Sequence, residues 1–227
     1  MNLDSCQLKT IPLFSTLNDS EREFLLAEHI SSSIDSHQNI IFEQDWGKTL
    51  FLIGNGIAKI RSITSDGDEV IYALAGKGDV FGEMAGLKDE TRSADVISLT
   101  AMKIYKFPEK KYLQLLNSSS SFSLQLAKYQ SIKLNQLNRR FLIQKGDATT
   151  RYLDAFAYIA TKHSPNPSDN YLISKPIQKE IASIAGLSRE TASRTLTKLK
   201  SRAIITERDD GLIIENKDSL IKRGISY

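Results

Sequence analysis

Cysteine is almost absent from this sequence of 227 residues, and its scarcity excludes several kinds of site. The one cysteine, Cys6, has no internal partner for a disulfide. A single cysteine is also too few for an iron–sulfur cluster or a cysteine-based zinc site. The three histidines, His29, His37 and His163, are not spaced as metal ligands. We therefore expect no metal and no resident cofactor.

Long apolar runs and catalytic motifs are missing as well. No run approaches the roughly 18 apolar residues that cross a bilayer, and the N-terminus has no signal-peptide pattern. The sequence contains no P-loop and no recognisable pairing of a nucleophile with a base. These absences predict a cytoplasmic protein that has no membrane partner and is not an enzyme.

Net charge is small at +3, but the positive charge is unevenly distributed. Residues 151–227 hold 13 Lys and Arg against 9 Asp and Glu, whereas residues 1–150 hold 17 against 18. Residues 174–202 alone contain 7 basic and 2 acidic residues. Binding to nucleic-acid phosphates requires positive charge concentrated in this way, so this segment is a candidate DNA-binding element.

The same basic segment has the pattern of a helix-turn-helix. Gly186 supplies the permissive backbone that a tight turn needs, and Ser188 is a good N-cap for the next helix. On that helix Ala192, Leu196 and Leu199 form an apolar stripe at helical spacing. The opposite face presents donors, acceptors and positive charge suited to base edges in the major groove: Arg189, Glu190, Ser193, Arg194 and Thr197. An ordinary helical hairpin with a solvated polar face is the alternative interpretation.

A short β-hairpin is predicted directly after this helix. Ala203–Thr206 and Leu212–Glu215 are β-prone runs, and Glu207–Gly211 between them has turn chemistry. The hairpin would complete a winged helix and place its turn near the phosphate backbone. Lys198 or Lys200 is expected to contact DNA as well, at a phosphate.

Between Ser36 and Pro108 the sequence changes to short runs rich in Ile, Val, Phe and Tyr, separated by turn signals. The runs cover residues 39–42, 49–53, 57–63, 70–74, 94–99 and 103–107. Such strands predict an antiparallel sandwich or jelly roll. Further helices are predicted over 11–30, from 108 to about 117 and over 149–161.

A long helix is predicted from Phe122 to about Lys145, after a break at Ser118–Ser121, because the stretch contains no Gly or Pro. Its residues at a 3/4 spacing form a narrow apolar seam: Ala127, Gln130, Leu134, Leu137 and Phe141. The seam either packs on the protein's own sandwich or forms a dimer. We favour the dimer, since a winged helix that reads a twofold DNA site usually needs one. Gly146-Asp147 then marks a hinge, and residues 164–168 a loop.

The β region also contains side chains that suit a phosphate and a sugar. Gly82 allows close approach of a ligand to the backbone, and Arg92 offers a planar fork of donors for a phosphate. Ser93 can donate one more hydrogen bond, and Glu83 is an acceptor for a sugar hydroxyl. A structural ion pair between Glu83 and Arg92 explains the same residues, so both interpretations remain open.

Two of these motifs resemble those of a known family. Phe81–Ala85 together with Arg92–Ala94 is similar to the phosphate-binding cassette of cyclic-nucleotide-binding domains. Ser188–Arg194 resembles the recognition helix of the catabolite activator (cyclic-AMP receptor) and FNR family of bacterial regulators. The resemblance extends from about Leu13 to Ile214.

This resemblance implies an α+β fold in three parts. They are an N-terminal antiparallel β jelly roll over residues 1–117, a long dimerisation helix with its hinge over 118–147, and a winged helix-turn-helix over 148–227. On the long helix, Leu134, Leu137 and Phe141 would form the dimer interface.

The resemblance also implies a role for each matching residue. The effector would contact Gly82, Glu83, Met84, Arg92, Ser93 and Asn138, and DNA would contact Arg189, Glu190, Ser193, Arg194 and Lys198. One departure concerns the long helix, where the catabolite activator offers an adjacent Thr-Ser pair to the adenine. This chain has Leu137-Asn138 there, of which only Asn138 can bond a base edge. Because of this departure, cyclic AMP is no more than the leading candidate among possible effectors.

The expected function is that of an effector-responsive, sequence-specific transcriptional regulator. It would act as a homodimer on double-stranded DNA, at an inverted repeat similar to TGTGA half-sites, and with RNA polymerase. Two alternatives remain open. One is a DNA-binding regulator that needs no effector or senses a different small molecule. The other is a cyclic-nucleotide-binding regulatory subunit of an enzyme, against which the basic winged helix argues.

Overall fold

The computed structural model describes residues 3–88, 90–163, 171–174, 177–214 and 217–225. Residues 1–62 and 75–137 form one unit of the chain, and residues 63–74 and 138–227 form the other. None of the helices in the described ranges is both long enough and apolar enough to cross a membrane.

Two capped helices open the first unit, α1 (Ser5–Thr10) and α2 (Asp19–Leu26), with a 3-10 turn at Pro12–Phe14 between them. Asn18 and Glu21 form a reciprocal capping box at the start of α2. The predicted extent of this helix, 11–30, is wrong. A cap at residue 18 requires non-helical backbone before α2, and the chain is already a strand at Ile30.

Eight strands, mostly in antiparallel pairs, form two four-stranded sheets in the described part of the first 107 residues. They are β1 (Ile30–Ile34), β2 (Asn39–Ile41), β3 (Leu50–Asn55), β4 (Ala58–Ile63), β5 (Glu69–Ala75), β6 (Val80–Phe81), β7 (Asp95–Ser98) and β8 (Met102–Phe107). The strand orders are β1-β8-β3-β6 and β2-β7-β4-β5. All six predicted strands are confirmed. The sequence did not reveal β1, which contains three serines, or β6, which has only two residues.

Three helices belong to this part of the chain. They are α3 (Glu83–Lys88), which follows β6, α4 (Glu109–Ser118), which follows β8, and α5 (Ser120–Ile143), which follows α4. The predicted break between α4 and α5 is confirmed, but it consists of Ser119 alone, so its predicted length of four residues is wrong. The Ser119 N–H still bonds Leu115 of α4, and its hydroxyl oxygen accepts from the Phe122 N–H of α5, so one residue completes both helix ends. The predicted long helix is confirmed.

Aromatic packing attaches the N-terminal half of α5 to the first sheet. The ring of Phe122 is stacked with that of Phe14, with 6.1 Å between the ring centres, and the ring centre of Phe14 lies 5.7 Å from that of Phe107 in β8. Phe122 and Leu126 are both buried in this core. The face of α5 that carries them is therefore fixed against the sandwich, which decides which other side chains of α5 remain outside.

The second unit contains α6 (Ala148–His163), β9 (Tyr171–Ser174), α7 (Glu180–Ile184), α8 (Arg189–Ser201), β10 (Thr206–Arg208), β11 (Gly211–Ile214) and α9 (Asp218–Ile221). Strands β10, β11 and β9 form an antiparallel sheet in that order. The predicted helix over 149–161 and the two helices of the helix-turn-helix are confirmed. The predicted loop 164–168 lies outside the described residues.

The predicted strand Ala203–Thr206 is wrong. Ala203 has a φ of +53°, and the Ile204 N–H bonds the Leu199 carbonyl, so these residues terminate α8 instead. Thr206 is the first residue of β10, and the predicted turn narrows to Asp209-Asp210. The Ile205 side chain is buried just after the end of α8, which explains why this position is apolar.

Candidate functional site

Arg92 and Gly82 lie together at the end of strand β6. The Arg92 side chain is buried, with only 7% of the residue exposed. Its Nη1 donates a 2.7 Å hydrogen bond to the Gly82 carbonyl, and its Nη2 donates one of 3.0 Å to the Thr49 carbonyl. The guanidinium carbon lies 5.7 Å from the centre of the Phe51 ring. Backbone from two strand ends and one aromatic ring thus hold this side chain.

The charge of Arg92 has no directly paired carboxylate. Across the described residues, no Asp or Glu oxygen lies within 4.0 Å of its guanidinium, so the ion pair with Glu83 considered above does not form. Desolvation by burial lowers the pKa of Arg92, against the attraction of Glu83, Asp45 and Glu109. The two carbonyl oxygens each accept one hydrogen bond but do not neutralise the charge of the guanidinium, which has five N–H donors, so the position favours an anion.

Glycine is required at position 82 for two reasons. Its φ of +81° lies in the left-handed region, which residues with a Cβ rarely adopt. A Cβ there would also lie 2.7 Å from Arg92 Nη1 and 2.9 Å from the Thr49 carbonyl oxygen. The close approach of backbone and guanidinium therefore depends on the missing side chain. Sequence reasoning found Gly82 and Arg92 but missed Thr49, whose contribution is a carbonyl that carries no residue-type signal.

Glu83, the first residue of α3, is buried and bonded to helix α5. Its Oε1 accepts from Gln130 Nε2 at 2.8 Å and lies 3.3 Å from Lys133 Nζ. Lys133 also donates a 2.8 Å bond to the Val80 carbonyl. Sequence reasoning assigns Gln130 to the dimer seam by its spacing and misses Lys133. The two residues are three positions apart and so lie on one face of the helix, which was the available signal that they share a partner.

The remaining predicted effector contacts are exposed. Met84 on α3 and Ser93 in the loop before β7 both present their side chains to solvent. Asn138 is exposed on α5 and belongs to the other unit of the chain. Of the six predicted contacts, the structure therefore brings Gly82 and Arg92 into direct contact, bonds Glu83 to α5, and leaves three exposed: Met84, Ser93 and Asn138.

The helix-turn-helix is built around Gly186 and Ser188. Gly186 has a φ of +60°, and the Ser188 Oγ accepts the Thr191 N–H at 3.2 Å, which caps α8. Ala192 and Leu199 of the predicted stripe are buried, and Leu196 is half-buried. Thr195 is buried as well, and its hydroxyl donates a hydrogen bond to the Thr191 carbonyl within the helix.

The opposite face of α8 is exposed along its whole length: Arg189, Glu190, Ser193, Arg194, Thr197 and Lys198. Arg194 Nη1 lies 3.1 Å from Glu190 Oε1, an exposed pair one turn apart. This pair must open before either side chain bonds a base, which costs little at a solvated position. The face combines donors, acceptors and positive charge at a helix N-terminus, as direct readout requires.

The wing carries acidic residues at its tip. Asp209 and Asp210 form the turn, and both are exposed. Behind them, Lys200 at the end of α8 forms an ion pair with Glu207 of β10. Because carboxylates repel phosphates, close approach of the wing tip to a phosphate is unfavourable.

The seam on α5 is exposed within the single chain. Leu134, Leu137 and Phe141 are 57%, 49% and 70% exposed, whereas Phe122 and Leu126 face the sandwich. The protein's own jelly roll therefore does not cover these three side chains. A row of exposed large apolar residues on one long helix is typical of a helix–helix interface.

The predicted hinge joins α5 and α6 by a short turn. The Asp147 carboxylate accepts the Thr150 N–H at 2.6 Å at the start of α6. That bond is the main reason that the pKa of Asp147 is lowered. Two side chains beside the hinge bond the turn between α7 and α8. Gln144 Nε2 donates to the Ile184 carbonyl at 3.2 Å, and Arg151 Nη1 donates to the Gly186 carbonyl at 3.0 Å. Sequence reasoning did not find these two tethers.

Comparison with known proteins assigns one domain family to the segment with the cassette and another to the segment with the helix-turn-helix. Residues 32–119 match the cyclic nucleotide-binding domain family, and residues 159–223 match the Crp-like helix-turn-helix domain family. The chain is 25% identical over 199 residues to the cyclic AMP receptor protein of Thermus thermophilus, covering 87% of this chain and 89% of that one. It is 28% identical over 160 residues to the cAMP-activated global transcriptional regulator CRP of Haemophilus influenzae, covering 69% and 71%.

Solved structures show the same fold at lower identity. FixK2 from Bradyrhizobium japonicum superposes with a TM-score of 0.74 at 17% identity, covering 86% of this chain and 96% of that one. The c-di-GMP responsive global regulator CLP of Xanthomonas campestris superposes at 0.69 with 20% identity, covering 88% and 100%. The two matched domain families together cover more than half of the chain, in the same order as the cassette and the winged helix. The chain therefore belongs to the CRP/FNR family of transcriptional regulators, with a cyclic nucleotide-binding domain followed by a Crp-like helix-turn-helix.

Proposed function

We propose that this chain is an effector-responsive, sequence-specific DNA-binding regulator whose effector is a cyclic nucleotide. The observation that carries the proposal is the state of Arg92, a buried guanidinium that contacts two carbonyls and, among the described residues, no carboxylate. A phosphodiester supplies the missing negative charge and two acceptor oxygens that match the guanidinium fork. The exposed Ser93 would donate to the same phosphate.

The sugar of the effector would be recognised by Glu83. Its Oε1 is held by Gln130 and Lys133, and its Oε2 has no hydrogen-bond partner among the described residues, which leaves that oxygen for a ribose hydroxyl. Asn138 would bond the base edge, and Met84 would pack beside it. Cyclic AMP is the leading candidate, supported by the names of the Thermus and Haemophilus relatives. The Xanthomonas regulator responds to a different cyclic phosphodiester, c-di-GMP.

The DNA complex would contain a homodimer joined by Leu134, Leu137 and Phe141. Its two α8 helices would enter successive major grooves of an inverted repeat similar to TGTGA half-sites, about 34 Å apart. Arg189 and Arg194 would read guanines, Glu190 would accept from a cytosine amino group, and Lys198 would contact a phosphate. Ser193 completes the reading face. Such a regulator acts in the cytoplasm on transcription by RNA polymerase and is not an enzyme.

Calorimetric titration of the purified protein tests the effector assignment. We expect cyclic AMP to bind with one site per chain, and cyclic GMP and c-di-GMP to bind more weakly. A failure of all three nucleotides to bind would refute the cyclic-nucleotide proposal. Retention of DNA in a mobility-shift assay would then support an effector-independent regulator, whereas loss of DNA binding with nucleotide binding intact would support an enzyme's regulatory subunit.

A regulator that needs no nucleotide is the second candidate, and one observation favours it. The charged groups of the cassette already have partners inside the protein, Glu83 on α5 and Arg92 on two backbone carbonyls. A cassette with those partners holds its shape without a ligand. The unpaired charge of Arg92 is the reason that we place this candidate second.

A further inference from the structure

Strand β5 lies at an edge of its sheet, where backbone groups have no neighbouring strand. In the order β2-β7-β4-β5, one side of β5 faces away from the sheet. Exposed edges of this kind are normally covered or blocked in proteins. Here the cover consists of side chains from α5 and α6, and it lies entirely within the unit that contains residues 63–74 and 138–227.

Two side chains bond the edge of β5. Arg140 donates through Nη1 to the Tyr72 carbonyl at 2.5 Å and through Nη2 to the Ile71 carbonyl at 3.4 Å. The Tyr158 hydroxyl accepts the Leu74 N–H at 2.9 Å and lies 3.2 Å from the Leu74 carbonyl, to which it can donate. The guanidinium carbon of Arg140 lies 5.0 Å from the centre of the Tyr158 ring, so the two side chains also contact each other.

These two residues lie on opposite sides of the hinge. Arg140 is in the last turn of α5, Tyr158 is in α6, and Gly146-Asp147 lies between the two helices. An ion pair also links the helices directly, with Arg139 Nη2 3.6 Å from Asp154 Oδ1. The edge of β5 adds a second link, because α5 and α6 both bond the same short stretch of backbone.

We propose that the edge of β5 is a brace that fixes the angle between the last turn of α5, residues 138–143, and α6, with Arg140 and Tyr158 as its positioning residues. The hinge cannot change its angle without breaking the bonds of at least one of them. Within the same unit, Gln144 and Arg151 bond the turn between α7 and α8, so the brace and that turn are attached to the same hinge. The brace needs no ligand, so it stands or fails independently of the effector assignment.

Amide hydrogen exchange of the full-length protein without nucleotide tests the brace. Arg140→Met keeps the aliphatic stem, and Tyr158→Phe keeps the ring while removing the hydroxyl. We expect exchange at residues 71–74 and at the hinge residues 144–150 to be about fivefold faster in each variant, as loss of one or two hydrogen bonds implies. The response of the hinge is the essential result, since that segment is not bonded by either replaced group.

A matched control is available in the other unit. The Tyr129 hydroxyl accepts the Val80 N–H at 3.0 Å and lies 3.2 Å from the Val80 carbonyl, the same pair of contacts as Tyr158 makes. Tyr129→Phe should speed exchange around Val80 and leave residues 144–150 unchanged. Hinge exchange that stays at the wild-type rate in both Arg140→Met and Tyr158→Phe would overturn the brace, even if Leu74 exchanges faster. Should one variant fail to fold in a thermal melt, the other decides by the same criterion.

Discussion

Arg92 Nη1 lies 2.7 Å from the carbonyl oxygen of Gly82, and a Cβ at Gly82 would lie equally close to that nitrogen. The hydrogen bond and the missing side chain are therefore parts of one arrangement. It holds a guanidinium at the end of a strand, with its plane fixed by the Gly82 and Thr49 carbonyls. A group fixed in this way loses little entropy when an anion binds it.

Alanine at position 82 should destabilise the protein by more than its backbone conformation alone explains. Gly67 is a matched control, since its φ of +84° is close to the +81° of Gly82 but its Cβ would meet no heavy atom within 4 Å. We expect Gly67→Ala to cost about 1 kcal/mol of unfolding free energy from the left-handed backbone. Gly82→Ala should cost about 1–3 kcal/mol more, from overpacking. Urea denaturation measures both, and equal losses would show that the approach of Arg92 is not tight.

A charge on the α5 seam should disrupt the dimer. Leu137→Asp would place an unpaired carboxylate at the partner contact, and we expect a monomer or a poorly folded chain in sedimentation velocity. Ile132→Asp is the control. Ile132 is 56% exposed on the same helix, comparable to the 49% of Leu137, but lies off the seam. A fully dimeric Leu137→Asp protein would place the interface elsewhere.

Asp147 should stabilise the protein in a pH-dependent way. Its N-cap bond to Thr150 is the main cause that lowers the pKa of Asp147 below its unfolded value. A carboxyl group whose pKa is lower in the folded state contributes stability above its unfolded pKa, and this is lost as pH falls through the folded value. We expect Asp147→Ala to cost about 1 kcal/mol at neutral pH. The difference from wild type should shrink in denaturation curves as pH falls below the ordinary Asp pKa of about 3.9 and through the lower value of the folded state. A difference independent of pH would show that capping by the carboxylate is not its source.

The elements that sequence reasoning found are those with a strong local signal. Ser188 and Gly186 mark the turn of the helix-turn-helix by residue type, and both have the expected cap and φ. Strand β1, by contrast, contains three serines and has no apolar alternation to reveal it. Ile204 and Ile205 look like a strand but complete a helix end, because hydrogen bonds back to Leu199 decide their conformation.

Within the site, long-range contacts were the part that could not be predicted. Arg92 and Gly82 were identified by type and motif, but the Thr49 carbonyl that completes their arrangement lies just before β3, 43 residues away from Arg92. The bonds from Gln130 and Lys133 to Glu83 depend on how α5 packs on the jelly roll. No pattern within α5 specifies the target of a polar side chain, only the face that carries it.

Arg189 should read one base pair of the DNA site. Selection of binding sites from random DNA with wild type and Arg189→Ala should give motifs that differ at one symmetric position, with a loss of about 1–3 kcal/mol there. Lys198→Ala serves as the comparison, because loss of a phosphate contact weakens binding evenly and flattens its salt dependence. If wild type and Arg189→Ala enrich the same motif with the same base preferences, α8 is not placed in the groove as proposed.

The central claim is that a nucleotide held by Arg92 sets the affinity for DNA. The direct measurement is fluorescence anisotropy of the selected inverted repeat with wild type and Arg92→Ala, each without and with cyclic AMP. We expect cyclic AMP to tighten wild-type binding at least tenfold, about 1.4 kcal/mol of coupling. The variant, shown folded by its thermal melt, should not respond at the same nucleotide concentration, because loss of a charged bidentate contact costs about 2–5 kcal/mol in nucleotide affinity. Equal DNA affinity of the wild type with and without cyclic AMP, or an undiminished response in Arg92→Ala, would contradict the account.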